Sequence, residues 1–273
     1  MACSEEIVMR AENLTFSYDG LNNIIEDLEL SIRQGKITVL MGANGCGKST
    51  LFHLLTKNLI PDQGRILLGE MDIEDMRRKE FAKQAAIVHQ DNTVPADLTV
   101  NRLVGYGRTP YFHSFQTAGT REDEDIINWA MEVTDLRSIK NQRVSQLSGG
   151  QRQRVFIAMA LAQKTKILFL DEPTTYLDIR YQIEIMKLVQ RLNKEYGITV
   201  IMVLHDINQA MEYGDIFVGM KHGTIVAEGP PEEVIDCEIL HELYGIRLPV
   251  VEVGGRKFVL PVESFASMEL PEE

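Results

Sequence analysis

A glycine-rich segment near the N-terminal end has the residue types that bind phosphate. Residues 42–49 fit the pattern G-x-x-x-x-G-K-[ST] in full. We expect backbone N–H groups from Asn44 to Thr50 to surround the β- and γ-phosphates of a nucleotide, with Lys48 adding a positive charge and Ser49 a hydroxyl ligand for Mg²⁺. The predicted nucleotide-binding residues are Gly42, Ala43, Asn44, Gly45, Cys46, Gly47, Lys48, Ser49 and Thr50.

Two adjacent acids could complete a hydrolytic site. Asp171 and Glu172 follow the apolar run 167–170, which predicts a buried strand with both carboxylates at its carboxyl edge. Such a carboxylate suits Mg²⁺, so Asp171 is predicted as a metal ligand. Glu172 suits a general base that polarises an attacking water. Paired acids also occur on ordinary solvated surfaces, and the strand-end position favours the functional interpretation.

The three cysteines suggest no disulfide framework. Cys3, Cys46 and Cys237 form no C-x-x-C pair, which fits a reducing compartment. Two interpretations of Cys46 stay open. It is either a thiol made reactive by Lys48 and the helix N-terminus, or a small side chain that fits the loop.

Composition excludes several classes of function. The 273 residues are 44% hydrophobic, enough for a substantial core, and the net charge is −12. This charge disfavours nucleic acid and anionic membrane surfaces as partners. No apolar run approaches the roughly 20 residues that span a bilayer, and the first residues lack a signal pattern. We therefore expect a cytoplasmic protein without direct membrane insertion.

The elements around these residues predict an α/β protein. Alternating patterns at 7–18 and 24–32 predict antiparallel strands, and residues 36–41 a buried strand that enters the glycine loop ahead of a helix over 48–57. A turn over 61–64, a strand over 65–69, a helix over 76–83 and a strand over 86–89 follow. Beyond residue 147 we expect helices at 151–163 and 179–195, strands at 166–170 and 198–204, a hairpin at 216–227, a helix at 238–244 and a second hairpin at 248–262.

Residues from Asp91 to Val144 have a helical character. Spaced apolar positions predict helices over 98–105 and 122–134, separated by the stretch 105–112, which is rich in glycine, proline and aromatic residues. We expect residues 91–147 to form a helical subdomain inserted into a core made of residues 1–90 and 148–273.

The segment Leu147, Ser148, Gly149, Gly150 and Gln151, together with the loop and the acid pair, resembles the ATP-binding-cassette (ABC) transporter ATPases. The resemblance runs from about Ile7 to Val250, with the motifs in the family's order. It implies an α/β P-loop NTPase core of the RecA-like type, an antiparallel β subdomain and an inserted α-helical subdomain. It also implies ATP hydrolysis with Mg²⁺ as cofactor.

The same resemblance assigns roles that spacing alone does not give. Tyr18 matches the aromatic residue that stacks on adenine, although a core aromatic at a strand end is the alternative. Gln90 matches the glutamine that contacts Mg²⁺ and the attacking water. His205 matches the histidine that contacts the γ-phosphate, and Asp178 the loop that lines the dimer interface.

The signature segment predicts a partnership between two copies. Ser148, Gly149 and Gly150 precede a helix, so they form an anion-binding N-terminus. In the family this turn closes over ATP held by the other subunit of a head-to-tail homodimer. Tyr176 departs from the small residue common in the adjoining loop, though tyrosine is frequent there in importers of iron chelates and cobalamin.

Two weaker motifs suggest the type of transporter. Residues 106–111 and 243–246 resemble the ATPases of ferric-siderophore, haem and vitamin B12 importers, or are packing residues shared by many ABC importers. The implied partners are two membrane-spanning permease subunits and, indirectly, an extracytoplasmic substrate-binding protein, with this chain at the cytoplasmic face of the membrane. A soluble ABC ATPase of DNA repair or translation is the alternative, and a phosphate-loop kinase outside the family is a remoter one.

Overall fold

The computed structural model describes residues 6–90, 92, 94–95, 97–112 and 119–261. The chain forms two compact units, the first made of residues up to 70 together with those from 203 onward, the second of residues 71–202. Cys3, Asp91 at the predicted start of the inserted subdomain, and Val262 at the predicted end of the last hairpin lie outside the described residues.

The helices and strands alternate along most of the described chain. The strands are β1 (Ile7–Phe16), β2 (Ile25–Arg33), β3 (Ile37–Met41), β4 (Gln63–Leu68), β5 (Met71–Asp72), β6 (Ala85–Val88), β7 (Ile167–Asp171), β8 (Thr199–Val203), β9 (Ile216–Lys221), β10 (Thr224–Gly229), β11 (Val250–Val253) and β12 (Arg256–Val259). The helices are α1 (Lys48–Leu55), α2 (Arg78–Phe81), α3 (Val100–Gly105), α4 (Arg121–Val133), α5 (Gly149–Ala162), α6 (Ile179–Tyr196), α7 (Ile207–Tyr213), α8 (Pro231–Val234) and α9 (Cys237–Tyr244).

The first unit contains two groups of paired strands. β1 pairs with β2 and with β4, both antiparallel, which confirms the predicted strand pair over 7–32. β3 has all five residues buried and runs parallel to β9, which pairs antiparallel with β10. A strand buried on both faces is typical of a parallel sheet, and its carboxyl end is where α/β proteins bind ligands.

In the second unit, a parallel strand pair carries the acidic residues. β6 runs beside β7 in the register Ala85↔Ile167 to Val88↔Leu170. The helices α3, α4 and α5 pack against one another. The inserted subdomain over 91–147 would contain α3 and α4, and its boundaries stay a prediction.

Several predicted boundaries shift for local reasons. The helix predicted from Gln151 begins at Gly149, because Ser148 caps it. The helix predicted over 48–57 ends at Leu55, and Lys57 has a positive φ of 59°. The predicted strand from Arg65 already begins at Gln63, and the helix predicted over 76–83 covers only α2.

The stretch at 106–111 anchors the end of α5. Arg108 and Asp123 form a buried ion pair with 2.8 Å between Nε and Oδ1. Arg108 Nη1 donates to the Ala162 carbonyl oxygen at 2.9 Å, and the Tyr111 hydroxyl donates to the Gln163 carbonyl oxygen at 2.7 Å. Although burial alone would raise it, the pKa of Asp123 is lowered by hydrogen bonds from the Thr120 N–H and from Arg108. These contacts give the stretch a packing role at the end of α5.

The last described elements fold back onto α7. β11 and β12 form an antiparallel hairpin. The Asn208 side chain donates to the Val259 carbonyl oxygen at 2.9 Å and accepts from the Val259 N–H at 2.8 Å. Over the residues that the structure describes, no helix combines the length and apolarity needed to cross a bilayer.

Candidate ATP-binding and hydrolytic residues

The glycine loop joins β3 to α1, as its pattern predicts. Gly42, Gly45 and Gly47 have φ values of 145°, 78° and 108°, which side-chain-bearing residues rarely adopt. A Cβ on Gly42 would lie 2.2 Å from the Met220 carbonyl oxygen, and one on Gly47 would lie 2.9 Å from Ile25 Cδ1. The glycines therefore allow both the backbone path and close packing beneath the loop.

Positive charge is concentrated at this loop. Gly47 precedes α1 without a side-chain cap, and the first turn of α1 has no acidic residue. The first N–H groups of a helix have no carbonyl partner within it, so this end attracts anions. Lys48 is only 5% exposed, and its ammonium donates to the carbonyl oxygens of Gly42 at 2.8 Å and Ala43 at 3.0 Å. An anion with stronger acceptor oxygens could replace those carbonyls.

The remaining first-unit candidates are exposed around the loop or after β8. Tyr18 is 65% exposed, its ring is edge-on to Phe16 at 4.9 Å, and its hydroxyl lies 3.3 Å from Thr50 Oγ1. This exposure contradicts the alternative of a core aromatic and leaves the ring able to stack on a planar base. Ser49 and His205 are exposed, and Asp206 caps α7 directly after the histidine.

Cys46 is buried within the loop. Its Sγ lies 3.9 Å from Lys48 Nζ, and its N–H donates to the Ala43 carbonyl oxygen at 3.2 Å. The burial agrees with the interpretation of a small side chain that fits the loop.

In the second unit, the parallel register brings Gln90 to Glu172. Val88 pairs with Leu170, and two residues further along each chain Gln90 Nε2 donates to Glu172 Oε2 at 2.7 Å. Thr175 Oγ1 donates to the same carboxylate oxygen at 3.0 Å. Glu172 has a φ of 47°, an uncommon conformation for a residue other than glycine. Two donors therefore orient a carboxylate that stands on a strained backbone at the end of β7.

Each unit offers oxygen atoms of the kind that bind a magnesium ion accompanied by phosphate. Ser49 offers a hydroxyl, Gln90 an amide oxygen and Asp171, the buried last residue of β7, a carboxylate. Mg²⁺ prefers oxygen ligands and usually keeps phosphate and water ligands rather than an all-protein cage. The described part of the chain contains no group of three or more His, Cys, Asp or Glu residues that could hold a metal.

The signature segment begins α5 with a complete capping box. Ser148 Oγ accepts from the Gln151 N–H at 3.3 Å, and Gln151 Oε1 accepts from the Ser148 N–H at 3.1 Å. Leu147 is buried, whereas Ser148 and Gly149 are exposed. No acidic residue occupies the first turn, so this helix end is a second site able to attract an anion.

The loop after Glu172 leads into α6. Asp178 is exposed and caps α6 by accepting from the Tyr181 N–H at 3.1 Å. Tyr176 is 90% exposed with a φ of 63°. Sequence reasoning did not select Thr175 or Tyr181, because their contacts with Glu172 and with α5 depend on the folded chain.

Comparisons with known proteins agree with this arrangement of motifs. The family described as "ABC transporter" matches residues 25–175. The ferric enterobactin transport ATP-binding protein FepC of Escherichia coli (strain K12) is 41% identical over 256 residues, covering 93% of this chain and 94% of that protein. The iron(3+)-hydroxamate import ATP-binding protein FhuC of Bacillus subtilis (strain 168) is 44% identical over 245 residues, covering 89% of this chain and 90% of that protein.

A solved structure extends the likeness to the fold. The dimeric structure of a bacterial ABC transporter cassette is 29% identical, with a TM-score of 0.70, covering 82% of this chain and 98% of the other. These relatives are transport proteins, and they give no support to a role in DNA repair or translation.

Proposed function

Because this chain belongs to the ABC transporter family, we propose that it is the ATP-hydrolysing subunit of an importer for ferric siderophores. The observation that carries the catalytic part is the oriented carboxylate of Glu172, held by Gln90 and Thr175 at the end of β7. The relatives named for ferric enterobactin and iron(3+)-hydroxamate support the substrate class.

The first-unit residues bind the nucleotide in this proposal. Backbone N–H groups of residues 44–50 donate to the β- and γ-phosphates, and Lys48 exchanges its two loop carbonyls for phosphate oxygens. Tyr18 stacks on the adenine, since its ring is exposed and tied to the loop through Thr50. His205 contacts the γ-phosphate, as the family resemblance implies.

The second-unit residues perform the hydrolysis. Glu172 accepts a proton from the attacking water, and Gln90 fixes the carboxylate through the 2.7 Å hydrogen bond. Ser49, Asp171 and Gln90 would hold Mg²⁺, which neutralises phosphate charge when bound. The φ of 47° at Glu172 holds its side chain at the strand end at a cost in backbone strain.

Two copies act together in this proposal. The capped start of α5, residues 148–150, binds the γ-phosphate of ATP held by the partner in a head-to-tail homodimer. The loop at Asp178 lines the interface. Two membrane-spanning permease subunits bind the homodimer at the cytoplasmic face of the membrane, and an extracytoplasmic binding protein delivers the chelate. Nucleic acid has no part in this function.

The substitution Glu172→Gln tests the catalytic assignment. It keeps the side-chain shape but removes the base, so ATP binding should persist while single-turnover hydrolysis falls at least about a hundredfold. The matched control is Glu195→Gln, a change at an exposed position of α6, which should hydrolyse ATP at the parent rate. Comparable hydrolysis by Glu172→Gln and the control would refute the base assignment.

A further inference from the structure

Position 150 requires a glycine because there is no room for a side chain, and not because of an unusual backbone conformation. It lies in the first turn of α5 without a positive φ, yet a Cβ there would come 2.3 Å from Tyr181 Cδ1, 2.5 Å from Cγ and 2.9 Å from the tyrosine Cβ. Non-bonded carbon atoms do not approach each other this closely. The Tyr181 side chain therefore occupies the space that a side chain at position 150 would need. At Gly149 the nearest atom, Leu177 Cδ2, would be 3.2 Å away.

The Tyr181 contact is one of three that join the starts of α5 and α6. Leu177 lies against Gly149, Tyr181 against Gly150, and Glu184 Oε2 accepts from Arg154 Nη2 at 2.8 Å. We call this set of contacts the α5–α6 seam. Tyr181 and Glu184 are three residues apart and lie on one face of α6, and Leu177 immediately precedes the capping residue of that helix. Residues 149–154 at the start of α5 therefore pack against residues 177–184.

The seam is tied to the catalytic carboxylate through a short hydrogen-bonded segment. The Thr175 N–H donates to the Glu172 carbonyl oxygen at 3.2 Å, and the Leu177 N–H donates to the Thr174 carbonyl oxygen at 3.3 Å. Gln182 Nε2 then donates to the Leu177 carbonyl oxygen at 2.9 Å. Backbone and side-chain bonds thus connect Glu172 to the residues on which the signature turn rests.

We propose that Tyr181 is a positioning residue that sets the signature turn relative to the loop carrying Glu172 within the same chain. The inference rests on the proposed function, because the signature turn binds the partner's ATP while Glu172 acts on the chain's own. Through the seam, the position of the loop that carries Glu172, next to the chain's own ATP, restricts the position of residues 148–150, which bind the partner's ATP. Gly150 is then required by the Tyr181 ring, in addition to any close approach of phosphate to the helix end.

ATP-dependent dimerisation of Glu172→Gln protein tests the proposal. In that background Tyr181→Ala should weaken dimerisation by about tenfold, the size of coupling expected between residues in contact. ATP binding by the monomer should not change, because the phosphate loop belongs to the first unit. Tyr181→Phe keeps the ring and should dimerise like its parent. Tyr196→Ala, at the far end of α6 against Trp129, is the matched control and should do the same.

The experiment distinguishes failure of the role proposed for Tyr181 from failure of the proposed function. Equal dimerisation by the Ala and Phe variants at position 181 would overturn the role of the ring. Absence of an ATP-dependent dimer in the parent Glu172→Gln protein would instead overturn the proposed function.

A double-mutant cycle between positions 150 and 181 gives a second readout that needs no activity. Gly150→Ala should lower the Tm by roughly 5 °C when Tyr181 is present, because the new methyl group overpacks the ring. The loss should be much smaller in the Tyr181→Ala background. Gly149→Ala, the control, should cost much less, because alanine favours helix and the only close atom, Leu177 Cδ2 at 3.2 Å, is the end of a flexible side chain that can shift by a few tenths of an ångström. Equal losses from Gly150→Ala in both backgrounds would contradict the seam.

Discussion

Removing the negative charge of Asp123 should destabilise the packing of residues 106–111 against the end of α5. The Arg108 and Asp123 side chains are 6% and 8% exposed, so Asp123→Asn leaves a buried guanidinium without its counter-charge. Breaking such a pair costs about 3–5 kcal/mol, and the lower end applies because the asparagine oxygen can still accept from the Thr120 N–H. For a chain of this size, about 3 kcal/mol corresponds to a Tm lower by roughly 6–12 °C.

The same helix provides the control. Glu132 on α4 pairs with Arg137 at 3.3 Å, but these side chains are 64% and 60% exposed. Glu132→Gln removes the same kind of charge from a solvated pair, so it should cost at most about 1 kcal/mol. Urea denaturation measures both variants, and hydrogen exchange at the amides of α4 and α5 shows whether the loss is local. Equal urea midpoints for the two variants would refute the reasoning.

The difference in stability between the parent protein and Asp123→Asn should depend on pH, in a direction that the pKa shift of Asp123 determines. The pKa of Asp123 is lowered in the folded protein from its ordinary value of 3.8, so its carboxylate contributes stability above that ordinary value. The contribution is lost as the pH falls through the lower folded pKa. The gap between the parent protein and Asp123→Asn should therefore be full at pH 7 and pH 5 and should narrow near pH 3. A gap that is unchanged at pH 3 would contradict the ion-pair account.

Three further changes test the nucleotide contacts and the C-terminal hairpin. Lys48→Ala removes a charge-assisted phosphate contact of about 1.5–3 kcal/mol, so fluorescence titration should show ATP affinity reduced at least tenfold; unchanged affinity would contradict the loop assignment. Tyr18→Ala should lose about 1–3 kcal/mol of stacking on adenine whereas Tyr18→Phe should bind like the parent, and equal ATP dissociation constants for the two variants would exclude stacking. Asn208→Ala removes both hydrogen bonds to Val259, so the β11–β12 amides should exchange faster with solvent than in Glu212→Gln, which only breaks an exposed ion pair; identical exchange would show that Asn208 does not hold the hairpin.

Local sequence patterns were sufficient to predict the phosphate loop and its flanking elements. The loop's strand and helix are contiguous in sequence, and each glycine stands where the backbone has a positive φ. The pairing of Gln90 with Glu172 joins residues 82 positions apart, and only the family resemblance suggested that Gln90 belongs to the site. Their hydrogen bond depends on the parallel register of β6 and β7, which no local pattern encodes.

Residues whose role depends on tertiary packing were missed or left ambiguous. Tyr181 lies on an amphipathic helix, and no local sequence pattern distinguishes it from the other half-buried residues of that helix. Its proposed role follows only from the folded structure, in which its ring fills the space beside Gly150. Arg108 belongs to a stretch read both as a marker of the importer type and as packing, and its buried pair with Asp123 gives it a structural role. The substrate class cannot follow from this chain's chemistry, because none of its proposed contacts reaches a chelate.

Uptake of radioactive iron into cells that lack this chain is the most direct test of the proposed function. Cells supplied with the wild-type chain should take up iron offered as a ferric siderophore, whereas cells supplied with Glu172→Gln at equal expression should not. Haem and cobalamin, offered separately, test the other cargo classes. Equal siderophore uptake with the wild-type chain, with Glu172→Gln and without the chain would contradict ATP-driven import of ferric siderophores by this protein.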